Sequence, residues 1–96
     1  MGLKREIPIF TLGRAKILSV LKKHEPLSIE ELSKESGMSR SSVYNHLKTL
    51  RDNKLIIEKQ DLEKLGQPIY ITTNKANPMS LSTLKMFEKI FPKLFK

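Results

Sequence analysis

The 96-residue sequence predicts one mainly helical α+β domain: three short helices, a β-hairpin and a further helix at the C-terminal end. Three observations predict it. The stretch SIEELSKESGMSRSSVYNHLKTLRDNK, residues 28–54, carries two capped helical patterns joined by a glycine turn. Two β-branched runs, Leu55–Gln60 and Pro68–Thr72, flank a polar loop with Gly66 inside it. Beyond them Leu84, Phe87, Phe91 and Leu94 repeat at helical spacing.

Each element has a local cause. Thr11 caps a first helix over about Leu12–Lys23, with Ala15, Ile17, Leu18 and Leu21 inward. Lys22 and Lys23 fall in its last turn, where the helix dipole favours cations. His24-Glu25-Pro26 ends it. Ser28 and Glu31 form an S-x-x-E capping box for the second helix, with Ile29 and Leu32 inward. Gly37 suits the left-handed position after its last turn, and Met38 plugs the corner. Ser39 caps a third helix reaching about Asp52, with Val43, His46, Leu47 and Leu50 inward. In the hairpin, Ile69 and Ile71 face one side and Tyr70 the other. Pro68 at the strand start suits an edge strand. Asn77 caps the last helix and Pro78 takes its first position; Pro92 should end it near Ile90. Residues 1–10 form an arm in which Lys4 and Arg5 either reach a phosphate or are simply solvated. Ile7-Pro8-Ile9-Phe10 should pack on something.

The outer arc of the third helix holds Ser41, Tyr44, Asn45 and Lys48, with Arg40 in its first turn and Arg51 on its flank. No acidic residue lies between Arg40 and Arg51. Such a face has the donors that base edges and phosphates require.

With these residues in view, SIEELSKESGMSRSSVYNHLKTLRDNKLI resembles the helix-turn-helix of winged-helix transcription regulators of the broad MarR/ArsR type. LGQPIYITT resembles the second strand of their wing. The resemblance spans roughly Gly13–Thr73. It implies a winged helix-turn-helix domain in which a short strand at Leu27 pairs with the wing hairpin. It also implies a double-stranded DNA partner, with helix 39–52 in the major groove and wing 59–68 at the flanking groove or backbone. On that reading Ser39, Ser41 and Ser42 contact phosphate or bases near the helix start. Arg40 and Asn45 read base edges, and Tyr44 touches a thymine methyl or a phosphate. Lys48 and Arg51 hold the backbone. Lys59, Lys64 and Gln67 are the wing groups placed for phosphate or minor groove, although Asp61 and Glu63 work against close contact there; a solvated hairpin tip is the alternative.

Charge agrees with a polyanionic partner but locates it unevenly. The chain carries +8, yet residues 27–52 are neutral. Residues 1–26 hold +4 and residues 78–96 hold +3, so the ends supply most of the field. Three of the four Phe lie in the last ten residues, more apolar surface than so small a core normally absorbs. Leu84, Phe87, Ile90, Phe91, Leu94 and Phe95 are therefore expected to form a homodimer interface. Packing on the first helix within one chain and a basic amphipathic membrane-surface helix are the alternatives.

Several function classes drop out. There is no cysteine, hence no disulfide or thiolate metal site. The four glycines stand apart and form no phosphate loop. His24 and His46 lack the companions of a zinc site, and His46 reads as a half-buried structural residue. No metal, cofactor or catalytic residue is expected, so the chain is not read as an enzyme. No secretion signal or spanning segment is apparent, which fits the cytoplasm. Any small-molecule effector would sit at the dimer interface. The competing reading is a winged-helix protein-interaction module within a larger assembly.

Overall fold

The computed structural model describes residues 10–59 and 69–95. The order is α1 (Leu12–His24), β1 (Leu27–Ser28), α2 (Ile29–Ser36), α3 (Arg40–Asp52), β2 (Ile56–Lys59), β3 (Tyr70–Thr73) and α4 (Pro78–Ile90). All predicted elements are present, each within two residues of its expected bounds.

The caps are those the sequence announces. Thr11 accepts from the Arg14 N–H at 3.4 Å. Ser28 accepts from the Glu31 N–H at 3.2 Å, and the Glu31 carboxylate accepts from the Ser28 N–H at 3.1 Å, completing the reciprocal box. Gly37 ends α2 at φ 72°, a backbone region that side chains with a Cβ avoid. Asn77 takes the Met79 N–H at 2.9 Å, with Pro78 in the first turn. Each cap stabilises its helix by about 1 kcal/mol.

α1 is the axle of the domain. Arg14, Ala15, Ile17, Leu18, Ser19 and Leu21 are all buried, more than one stripe of the helix. The sequence shows only the stripe; burial of α1 on several sides comes from α2 and α3 packing on part of its surface and β3 on another. Leu27, Leu32, Val43, Leu47, Leu50, Leu55, Ile56, Ile71 and Phe87 complete the core among the described residues. Met38 packs against it as expected.

The sheet has the order β1-β3-β2, antiparallel throughout. Leu27 sits opposite Ile71, and Glu58 sits opposite Ile71 on the other side. The short strand at Leu27 thus joins the hairpin, as the resemblance implies. It makes β3 the central strand, which corrects the edge position inferred from Pro68. β3 begins at Tyr70, and Pro68 lies outside the described residues. Ile71 is buried, whereas Ile69 lies ahead of the paired segment and is exposed.

α4 ends at Ile90, two residues before Pro92. Stepping about 100° per residue, Ser80, Leu84, Phe87 and Phe91 share one side of it. Phe87 is fully buried in the chain's own core, its ring 4.7 Å from that of Phe10. This corrects its assignment to a dimer interface: a ring enclosed by its own chain has no surface left for a partner. Leu84, Phe91, Leu94 and Phe95 are half-buried against the same core. Leu81, Ile90, Met79 and Met86 are exposed. They rotate away from the Phe87 line. The final turn is held back on α1 by a Lys22–Glu88 ion pair and by Lys22 Nζ 5.9 Å from the centre of the Phe95 ring.

A polar latch closes the α1–β1 corner. The half-buried Glu25 carboxylate accepts from the Thr73 N–H at 2.8 Å and from the Thr73 hydroxyl at 2.8 Å, and pairs with Lys75 at 3.1 Å. Burial alone would raise its pKa, but the Thr73 hydrogen bonds and the Lys75 charge outweigh it and hold the carboxyl below its ordinary 4.5. The folded state therefore binds this proton less readily than the unfolded chain. The resulting stabilisation is fully present above pH 4.5 and is lost as pH falls through the lower folded value. Urea midpoints should fall below pH 4.5 in the native chain and fall less in Glu25→Gln. Parallel pH profiles for the two proteins would remove the latch from the account.

Candidate nucleic-acid interface

α3 is held by its inner face and presents its outer one. Val43, Leu47 and Leu50 anchor it in the core. Ser41, Tyr44, Asn45, Lys48 and Arg51 are exposed along it, as is Arg40 in its first turn. Tyr44 is 58% exposed, a large aromatic left in water. The structure thus gathers the predicted α3 residues on one open surface.

The start of the helix is partly committed to its own cap. The Ser39 oxygen accepts from the Ser42 N–H at 3.2 Å, while its hydroxyl donates to the Ser42 oxygen at 3.1 Å. Ser42 is only half-exposed, so Ser39 and Ser41 are the more open hydroxyls. Both flanking arginines carry a carboxylate from another element. Arg40 Nη2 lies 3.1 Å from Glu30 on α2, and Arg51 Nη1 lies 3.0 Å from Glu58 on β2.

Between α3 and the hairpin runs a groove of about 370 Å³, bordered by Tyr44, Asn45, Lys48, Arg51, Glu58 and Ile69. Lys59 is exposed at the end of β2. Lys64 and Gln67, the other predicted wing groups, lie outside the described residues. The polar side chains that the structure brings together here are a phenol, an amide, two cations and the Glu58 carboxylate. Such a set can hydrogen-bond and neutralise an extended anion.

Two contacts of α3 do not follow from its own sequence: the seat of His46 on α1, and the acids on its two exposed arginines. His46 is half-buried against α1, where a Cβ built on Gly13 would stand 2.4 Å from its Nε2. A glycine inside a helical pattern is the signal that could have shown this approach. Burial, and secondarily the Arg14 charge, pushes the His46 pKa below 6.5, which favours neutral imidazole. Buried Arg14 also reaches across to α3, its Nη2 3.4 Å from the Thr49 hydroxyl. The second is the pair of acids on Arg40 and Arg51. No local pattern marks them, because each contact joins different elements.

Comparison with known proteins agrees with this geometry. A family model described as an HTH domain matches residues 14–61. No match was found among curated proteins. Among solved structures, MepR, titled a transcription regulator of the Staphylococcus aureus multidrug efflux pump MepA, superposes with a TM-score of 0.69 at 21% identity. The match covers 88% of this chain and 60% of MepR. A MepR variant solved bound to an oligodeoxyribonucleotide matches with the same score and identity over 88% of this chain and 59% of its own. S. aureus MarR, solved with salicylate and kanamycin, gives 0.63 at 26% identity, covering 85% of this chain and 52% of its own. Reduced HlyU from Vibrio cholerae gives 0.63 at 22%, covering 84% and 78%. The chain thus spans about three fifths of MepR and half of MarR. The open α3 surface, the three-stranded sheet and the match over residues 14–61 lead to one conclusion: this chain belongs to the HTH domain family, in the winged-helix form that MarR-type regulators share.

Proposed function

We propose that this protein is a transcription regulator that binds double-stranded DNA sequence-specifically through α3, with the hairpin beside it. One observation carries the reading: the polar and cationic side of α3 is uncovered, while its apolar side is locked into the core. The oligodeoxyribonucleotide bound by the MepR variant supports it by likeness of fold. In the proposed pose α3 enters the major groove N-terminal end first. Arg40 meets guanine O6 and N7, and Asn45 meets adenine N6 and N7. Ser39, Ser41 and Ser42 lie near the helix start, where free N–H groups favour an anion. Tyr44 reaches a thymine methyl or phosphate. Lys48 and Arg51 hold the backbone, and Lys59, with Lys64 and Gln67 on the wing, tracks the flanking groove.

The protein acts in this reading as a cytoplasmic homodimer, since one recognition helix alone gives weak specificity. The outward side of α4, with Met86 and Ile90 exposed, is the contact; Leu84, Phe91, Leu94 and Phe95 line its margin. The neutral net charge of residues 27–52 favours a second reading, a winged helix that binds protein rather than DNA.

Selection of bound duplexes from a random pool, followed by titration of variants, tests the reading. Asn45→Ala should reduce discrimination between selected and unrelated duplexes by about 1–3 kcal/mol. Lys48→Ala should weaken all duplexes alike and flatten the salt slope by about one unit. Undiminished binding in both variants rejects α3 as the reading element. Light scattering that finds only monomer at micromolar concentration removes the dimer.

A further inference from the structure

We propose that Glu30 is a selectivity residue of the α3 surface: it holds Arg40 away from the phosphate backbone and so suppresses attachment to arbitrary duplex. The inference rests on the reading of α3 as the DNA-binding element and adds a partner-discriminating role for one acid.

The placement of charge carries it. α3 has no acid in its first turn and a cation there instead, the arrangement its dipole disfavours. Glu30 reaches over from α2 and supplies the missing negative charge at 3.1 Å. At the other end Glu58 on β2 pairs with Arg51 at 3.0 Å, which weakens the backbone hold of Arg51 on every duplex alike. Among the described residues, Lys48, between the two arginines, has no carboxylate within salt-bridge reach. The surface thus has one open cation flanked by two that are already engaged. Both pairs are exposed, with Arg40 and Glu30 side chains 64% and 62% accessible. An exposed pair of this kind is weak and exchanges readily.

Weak pairs of this geometry separate two kinds of binding. A guanidinium has five donors in a fixed fork. Glu30 engages one nitrogen, Nη2, and leaves other donors free for the two acceptors of a guanine edge. A base contact can therefore form with the carboxylate still in place, which also fixes the direction of the fork. A phosphate contact cannot: it brings a second anion to the carboxylate and must either displace it or suffer its repulsion. Exchange of one carboxylate oxygen for one phosphate oxygen gains little. Arbitrary duplex is thus held by Lys48, a weakened Arg51 and the remaining cations, and a matching sequence adds Arg40.

Fluorescence anisotropy of the full chain tests this with two labelled duplexes, one of random sequence and one enriched by selection with the native protein. Glu30→Gln should tighten the random duplex by about three- to fivefold at low salt. It should steepen the salt slope of that duplex by about one unit. The selected duplex should change less than about twofold, so the ratio of the two affinities falls. Glu88→Gln removes an equal charge on the side of the molecule where Glu88 pairs with Lys22, and should leave both affinities unchanged. Unchanged random-duplex binding in Glu30→Gln overturns the proposal. So does equal tightening on both duplexes, or the same effect from Glu88→Gln. A native protein that binds the selected duplex and not the random one, while Glu30→Gln binds both, supports the suppression directly. Enrichment of no sequence, or no duplex binding by any of the proteins, removes the DNA reading itself and this inference with it.

Discussion

Phe87→Ala is expected to destabilise the protein by about 3–5 kcal/mol, the usual loss when a buried phenyl is deleted from a packed core. Phe87 is 0% exposed, and it joins three parts of the chain. It lies on α4, stacks at a tilt of 56° on Phe10 before α1, and shares the core with Leu18, Leu21 and Ile71. The half-buried neighbours Leu84 and Phe91 cannot refill the space without leaving their own contacts. For a domain of 96 residues the whole stability is about 5–15 kcal/mol, so the loss is a large fraction of it. Urea unfolding followed by circular dichroism measures it directly. The same experiment separates two roles for α4. Burial within one chain makes the loss independent of protein concentration. A loss that vanishes on dilution would place the ring between subunits instead.

The second large effect concerns the contact that fixes α3 against α1. Gly13→Ala places a Cβ 2.4 Å from His46 Nε2 and 2.9 Å from Cε1, inside any permissible contact. The ring must move, and overpacking of this kind costs about 1–3 kcal/mol. The sign should reverse once the ring is gone. In a His46→Ala background, Gly13→Ala has only its helix propensity to express and should stabilise by about 0.5–1 kcal/mol. A double-mutant cycle on urea midpoints reads the coupling, expected at about 2 kcal/mol. Stabilisation by Gly13→Ala of equal size in both backgrounds would mean that the imidazole does not rest on Gly13 in solution. Duplex affinity is a useful companion measurement, because a shifted α3 should re-aim Asn45 and Lys48 without touching either.

Much of this was legible locally. Ser28 with Glu31, Gly37, Ser39, and Asn77 with Pro78 each act through backbone groups within a few residues, so their geometry follows from sequence. Ser41, Tyr44, Asn45 and Lys48 were legible as a surface because helical periodicity alone opposes them to Val43, Leu47 and Leu50. Phe87 was misread for a reason of the same kind. Periodicity shows that an apolar side exists but not what covers it, and Phe87 and Ile90 look alike in sequence although one is buried and the other bare.

Where the helices begin and end, which residues of α3 face outward, and the succession of three helices, a hairpin and a fourth helix all follow from local sequence. These depend on caps, φ preferences and period, all interactions of short range along the chain. The central place of β3, the burial of Phe87 in the chain's own core, the seat of His46 on Gly13, and the pairs of Glu30 with Arg40 and Glu58 with Arg51 emerge with packing alone. Each of these joins residues from different elements. Such contacts exist only once packing has fixed how the elements lie against one another.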